Sequence, residues 1–428
     1  MRSRFPQPLL WVAAAAIILA AATPMVLRYL VFWPLDQWQV DVEVYREAGV
    51  SVLTGRPIYS ALTESPQLLP FTYPPFAALL AIPLALVPFG AAGWIWTGLQ
   101  ILATTAIVWY AGWRLIHGFG AWAPIALAVL TAPMLWLAPV ADGLRFGQVN
   151  AFMVLACLMD LRNPRPLWLR RVPRGVLIGL AMAVKLTPGV FVIHLLVTRR
   201  WREASTAIGT AVLVTLGAFV VLPEASLTFW GGALQDPSRL GPNVGSSNQS
   251  LRGVLLRLLP DSTLGSVLWV ILAGAVAIGG FWLARQRYLA HDSIGEVAVV
   301  GLLACLLSPV AWIHHHHWVV VVIFALLGAQ PAQHRARAGW AAIVAAFYTV
   351  AIPWWGNAWL THPDWPAWFG ELMQNFMVVQ DLAVLFILWG VSRTPGELHD
   401  PDDSERQADQ TADPPQGGQS KSLQESAA

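Results

Sequence analysis

The sequence predicts an all-α protein that crosses a membrane many times, and three observations carry that prediction. Of 428 residues, 56% are hydrophobic and only 12% charged, too little charge for a soluble domain of this length. The apolar residues fall into about twelve runs, many of them near the ~17–25 residues that span a bilayer as a helix. The 23 tryptophans suit a chain whose amphipathic rings rest at membrane–water interfaces.

The first element is expected at 9–33. Its basic start, MRSR, and its alanine-rich middle resemble a secretion signal, but the apolar run continues through MVLRYLVFW, so an uncleaved helix is expected. A polar stretch follows, and TYPPF (72–76) leads into a second segment over 72–90, its backbone stiffened by Pro74 and Pro75. Periodic apolar runs then predict segments at 91–113, 121–140, 149–161, 175–197, 204–222, 264–284, 294–313, 317–329, 339–356 and 376–392. That is about 12 membrane helices, some broken or re-entrant.

Arginines set the expected orientation, because Lys and Arg stay on the cytoplasmic side. The clusters at 2–4, 162–174, 199–202, 285–287 and 335–337 are assigned inside. Residues 34–71, 223–263, the histidines of 314–317 and 357–375 then face outward, with both termini cytoplasmic. Two places break the count. Segment 175–197 has arginines at both ends and AVKLTPG in its middle, where Pro188 disfavours a helix through Thr187. A hairpin of two short helices with Lys185 near its outward tip is expected. The count across 72–140 also fails by one, which predicts a second break near TAP (131–133). Irregular backbone survives at membrane depth only where protein buries it or water reaches it, so a cavity is expected. Cys157 and Cys305 lie inside apolar runs as small buried hydrophobes, without a disulfide framework. Residues 1–393 form the expected membrane domain. The tail 394–428, with eight acidic residues against two basic, is expected to be disordered and cytoplasmic.

The polar residues of so apolar a chain are the candidates for chemistry. Asp41 follows closely on the first helix between Val40 and Val42, and in a helix it shares a face with Tyr45. A carboxylate at the mouth of a membrane cavity can serve as a general base for a hydroxyl; the alternative is one more solvated acid in an acidic loop, with Asp36 nearby. Of the 26 basic residues only Lys185 and Lys421 are lysine. Lys185 sits at membrane depth, where a cation marks a functional site; its partner is either a lipid phosphate or an acid such as Asp142 or Asp160. RFGQVN (145–150) and SSNQSLRG (246–253) supply Arg145, Gln148, Asn150, Asn248, Gln249 and Arg252, which suit hydroxyl-rich or phosphorylated ligands or, alternatively, cap loops. Tyr73 of TYPPF belongs at the interface and joins the donor-contact candidates. His314, His315, His316 and His317 follow one apolar run and precede another. On a helix only His314 and His317 would share a face, so one or two imidazoles are expected to face the cavity. No matching cluster supplies further metal ligands. No cofactor is called for, and a divalent cation is the less favoured reading.

Taken in order, VDVEVYREAG, GRPIY, FTYPPFAALLAIPLA, RFGQVNAFM, AVKLTPG, NQSLRG and LLSPVAWIHHHHW resemble glycosyltransferase family 87 over about residues 35–390. These are integral membrane enzymes of actinobacteria with the GT-C fold. Within the family the likeness is to the polyprenol-phosphate-mannose-dependent α-1,2-mannosyltransferases of phosphatidylinositol mannoside synthesis. The resemblance implies a catalytic aspartate in the first outward loop, carried onto Asp41. It also implies an extracytoplasmic active site at the plasma membrane, a polyprenol-phosphate mannose donor and a mannosylated lipid acceptor. Converting a β-linked mannosyl phosphate into an α-mannoside inverts the anomeric carbon, so one base suffices where a glycosidase needs two carboxylates. Lys185 and one of the histidines would then stabilise the departing phosphate. The alternatives are an arabinofuranosyltransferase, a lipoarabinomannan-branching mannosyltransferase or, from another class, a lipid or solute transporter. Membrane lipids are expected partners and nucleic acid is not.

Overall fold

A computed structural model describes residues 6–31, 39–236, 239, 241–260, 262–329 and 334–391, and every element among them is a helix. Asp36 and the tail from 394 lie outside the described residues. Four helices are long and apolar enough to cross a membrane: Gln7–Val26, Phe89–Ala111, Trp201–Val221 and Thr263–Leu289. Three bent pairs raise the number of candidate spans to seven at most, fewer than the expected 12. Prolines and buried packing account for the difference. The run over 72–90 folds as two short helices, Pro75–Leu80 and Ile82–Ala85. The runs over 294–313 and 317–329 become Ser293–Leu306 and Val319–Leu327, both too short to cross.

The two kinds of helix occupy different places. On the long helices Val220 and Ile278 are 83% and 77% exposed, which suits hydrocarbon rather than water. Val319–Leu327 reads VVVVIFALL, apolar all round, and its residues from Val319 to Leu326 are buried. Between lipid-embedded helices close packing replaces the hydrophobic effect as the driving force, and small residues permit it. Gly301 is one such residue, since a Cβ there would meet the Trp318 ring at 2.5 Å.

Both expected breaks exist. Val176–Val184 and Gly189–Val197 are separate helices, and Lys185 between them is extended (φ −149°, ψ 128°). The second break is a 79° bend between Gly120–Leu135 and Ala138–Phe146. It falls at Trp136–Leu137 rather than at 131–133, because Pro133 is accommodated inside its helix and Pro139 starts the next one. Cys157 and Cys305 are free and buried.

Candidate functional site

The break at Lys185 opens on a cavity of about 580 Å³, whereas the bend at Trp136–Leu137 contributes no residue to its lining. Among the described residues three charged side chains line the cavity: Asp41, Lys185 and Arg239. Asp41 lies in the first turn of helix Val40–Thr54. That turn docks against the end of helix Ala138–Phe146, which stops at Gly147 in the left-handed region (φ +77°). A Cβ on Gly147 would collide with Val42 and Gln39, so glycine is required for both its conformation and the approach. The approach brings Gln148 to Asp41, and Gln148 Nε2 donates to Asp41 Oδ2 at 2.6 Å. On the other side of Gln148, the Tyr73 hydroxyl donates to its Oε1 at 3.4 Å, and the Tyr45 hydroxyl lies 3.1 Å from that of Tyr73. Burial pushes the Asp41 carboxyl up from 3.8 to about 6, against the opposing pull of the Gln148 hydrogen bond and the Lys185 charge. A carboxyl raised in this way is a stronger proton acceptor than an exposed aspartate.

Lys185 stands at the break in the hairpin. Its Nζ donates to Asn150 Oδ1 at 3.1 Å and lies 3.1 Å from His315 Nε2, with the Tyr73 ring centroid 5.4 Å away. It forms no ion pair among the described residues with Asp142 or Asp160; Asp160 is bonded instead to Arg165 and to the backbone N–H groups of Gly175 and Ile178. Asn150 also donates to the carbonyl of His314 at 2.8 Å, tying lysine and histidine turn together.

The four histidines occupy the 3₁₀ segment Ile313–Trp318 and diverge. His315 lines the cavity. His314 packs edge-on to Phe146, His316 faces Asp381, and His317 approaches the Thr104 hydroxyl at 3.4 Å. No three His, Cys, Asp or Glu side chains converge as metal ligands among the described residues. His315 Nδ1 accepts from the backbone N–H of Trp312 at 3.2 Å, so the neutral ring carries its proton on Nε2. An imidazole N–H and an ammonium, two donors, thus meet at the cavity without an acceptor between them. An anion there would satisfy both.

Other sequence candidates lie elsewhere. Asn248 and Gln249 are fully buried. Asn248 Oδ1 accepts from Ala311 N at 3.0 Å, Gln249 N donates to Ala311 O at 2.6 Å, and Ser247 O accepts from Ile313 N at 2.9 Å. Gln249 Nε2 donates to the carbonyls of Ser246 and Gln374. These residues clasp the segment 309–313 that leads into the histidines rather than lining the cavity. Arg252 bonds Ser266 and covers the Trp269 ring, and Arg145 lies over Phe146, also away from the lining. Arg239 escaped the sequence reading. Its Nη2 donates to the carbonyls of Tyr59 (2.7 Å) and Phe71 (3.3 Å), which hold it where it lines the cavity. As one arginine in a polar loop it carried no local signal.

A model of glycosyltransferase family 87 matches residues 71–309. A polyprenol-phosphate-mannose-dependent alpha-(1-2)-phosphatidylinositol pentamannoside mannosyltransferase of Mycobacterium tuberculosis is 32% identical, over 80% of this chain and 78% of its own length. Its namesake in Mycolicibacterium smegmatis is 34% identical over 74% and 76%. A polyprenol-phosphate-mannose-dependent alpha-(1-2)-phosphatidylinositol mannoside mannosyltransferase of M. tuberculosis is 31% identical over 65% and 67%. No solved structure gives a significant match.

Proposed function

The chain belongs to glycosyltransferase family 87, and from that premise we propose that it transfers mannose from polyprenol-phosphate mannose to a mannosylated phosphatidylinositol, forming an α-1,2 linkage. The observation that carries the chemistry is a carboxylate, Asp41, held by Gln148 and sharing one cavity with the Lys185–His315 donor pair. In this reading the acceptor's mannose hydroxyl gives its proton to Asp41 as its oxygen attacks the anomeric carbon. The bond from that carbon to the phosphate oxygen breaks in the same displacement, with inversion. Polyprenol phosphate leaves with the bonding electrons, and the new negative charge is held by the Lys185 ammonium and His315 Nε2–H. A phosphate is already a good leaving group, so no strong general acid is required. Gln148 holds Asp41 in place by its bond to Oδ2, leaving the other oxygen for the substrate. Asn150 holds Lys185.

The active site is assigned to the extracytoplasmic face of the plasma membrane in a GT-C type fold, a reading supported by the arginine-rich loops at 162–174 and 199–202 on the opposite assignment. The test is a donor screen with purified enzyme and a phosphatidylinositol mannoside acceptor. Polyprenol-phosphate mannose should be consumed with an α-1,2 product, and polyprenol-phosphate arabinose should not. Arabinose transfer, or mannose transfer in another linkage, would overturn the assignment.

A further inference from the structure

We propose that Asp381 is a positioning residue for the transfer: with Tyr348 it fixes His316, and through His316 the turn that aims His315 at Lys185. The inference rests on the reading of His315 as a donor-phosphate contact. A 3₁₀ run rarely exceeds three or four residues, because its hydrogen bonds are poorly aligned. Ile313–Trp318 is accordingly two short turns that meet at a kink at His316 (ψ 19°), and contacts from outside set the angle between them. Besides the Asn150 bond to the His314 carbonyl, one support is the Cys305 thiol, which donates to the His315 carbonyl at 3.4 Å. Another comes from the C-terminal helices. His316 is wholly buried, with Nδ1 2.9 Å from Asp381 Oδ2. Asp381, on helix Phe376–Gly390, is equally buried, and its second oxygen accepts from the Tyr348 hydroxyl of helix Arg335–Val350.

A buried acid–histidine pair is a poor way to gain stability, since apolar groups of the same volume pack as well or better. What it adds is direction. At 2.9 Å in a site closed to water, the carboxylate leaves the imidazole little room to turn, so the pair holds the residue next to His315, the one of the four consecutive histidines that lines the cavity. All three members lie beyond the family match at 71–309.

A double-mutant cycle separates positioning from plain structural support. Asp381→Asn is made in wild-type enzyme and in His315→Ala, with donor and acceptor KM, kcat and the thermal midpoint measured in each. In the wild-type background the donor KM should rise about tenfold while the acceptor KM holds. In His315→Ala the same substitution should change the donor KM by less than about twofold, because nothing remains to be aimed. Equal losses in both backgrounds, or no loss in either, would overturn the proposal. If His315→Ala alone leaves the donor KM unchanged, the phosphate reading of His315 falls and this proposal with it; equal losses with His315→Ala impaired sink only the positioning. Should Asp381→Asn fail to fold, Tyr348→Phe runs the same cycle with a smaller expected rise, about threefold, and the same deciding outcomes.

Discussion

Asp41 and Asp160 are both carboxylates in apolar protein, and their surroundings are opposite. Asp160 accepts from Gly175 N at 2.9 Å, Ile178 N at 3.0 Å and Arg165 Nη2 at 3.1 Å. It caps the N-terminus of helix Val176–Val184, where a negative charge is favoured. Among the described residues Asp41 has one side-chain donor, Gln148, and open space beside it. The cations divide in the same way. Arg200 is paired with Glu296 at 2.7 Å and with Glu203, whereas Lys185 meets an amide and an imidazole. A buried ion whose bonding capacity is filled belongs to the fold. One that faces a cavity with capacity to spare is available to a substrate.

The sharpest way to break that contrast is to neutralise each acid. Asp41→Asn keeps the shape and removes the proton acceptor, so turnover should drop by about 10²–10⁴-fold with the thermal midpoint unchanged or raised. Near-normal turnover would remove Asp41 from the role of base and move attention to Asp36. Asp160→Asn should do the reverse. Breaking a buried, multiply bonded pair costs about 3–5 kcal/mol, read as a lower unfolding midpoint, while activity per folded molecule stays near wild type. A catalytic defect without destabilisation there would undo the distinction.

Lys185→Met retains the apolar stem and loses the charge. The donor KM should rise about 10–100-fold, the loss of one charge-assisted contact, with little change in acceptor KM. An unchanged donor KM would make Lys185 a structural cation.

The pH profile sharpens the comparison further. With the Asp41 carboxyl raised to about 6, kcat/KM should fall about tenfold per pH unit below pH 6 as the base becomes protonated. Stability has the opposite sign. The folded protein holds this proton more tightly than the unfolded chain, whose carboxyl titrates near 3.8, so the contribution of Asp41 to stability falls as pH rises from about 4 to 6. An acid limb that persists unchanged in the residual activity of Asp41→Asn would assign it to another group. The smallest effect is expected for Arg252→Ala, which should alter transfer by less than about twofold, since its guanidinium covers Trp269 outside the cavity.

Much of this was legible along the chain. Asp41 and Lys185 stood out because ionisable residues are costly beside apolar runs, and the hairpin at 185 followed from Pro188 and the flanking arginines. The number of spans was not legible, since an apolar run too short to cross and one buried by its neighbours have the same composition. Gln148 and Asn150 were named, but so were Asn248 and Gln249, and only the first two reach the cavity or its lysine. Both amide pairs sit beside apolar helices, and no local rule says which backbone each will bond.

Composition and local pattern alone determined that this chain is helical, membrane-bound and interrupted at Lys185, because hydropathy, proline geometry and the cost of a lone charge act through near neighbours. Tertiary structure decided which of four adjacent imidazoles faces the cavity and which acids are filled. A 3₁₀ turn with a kink sends consecutive side chains in divergent directions, and the partners that select among them, Lys185, Asp381 and Thr104, come from segments up to 213 residues away.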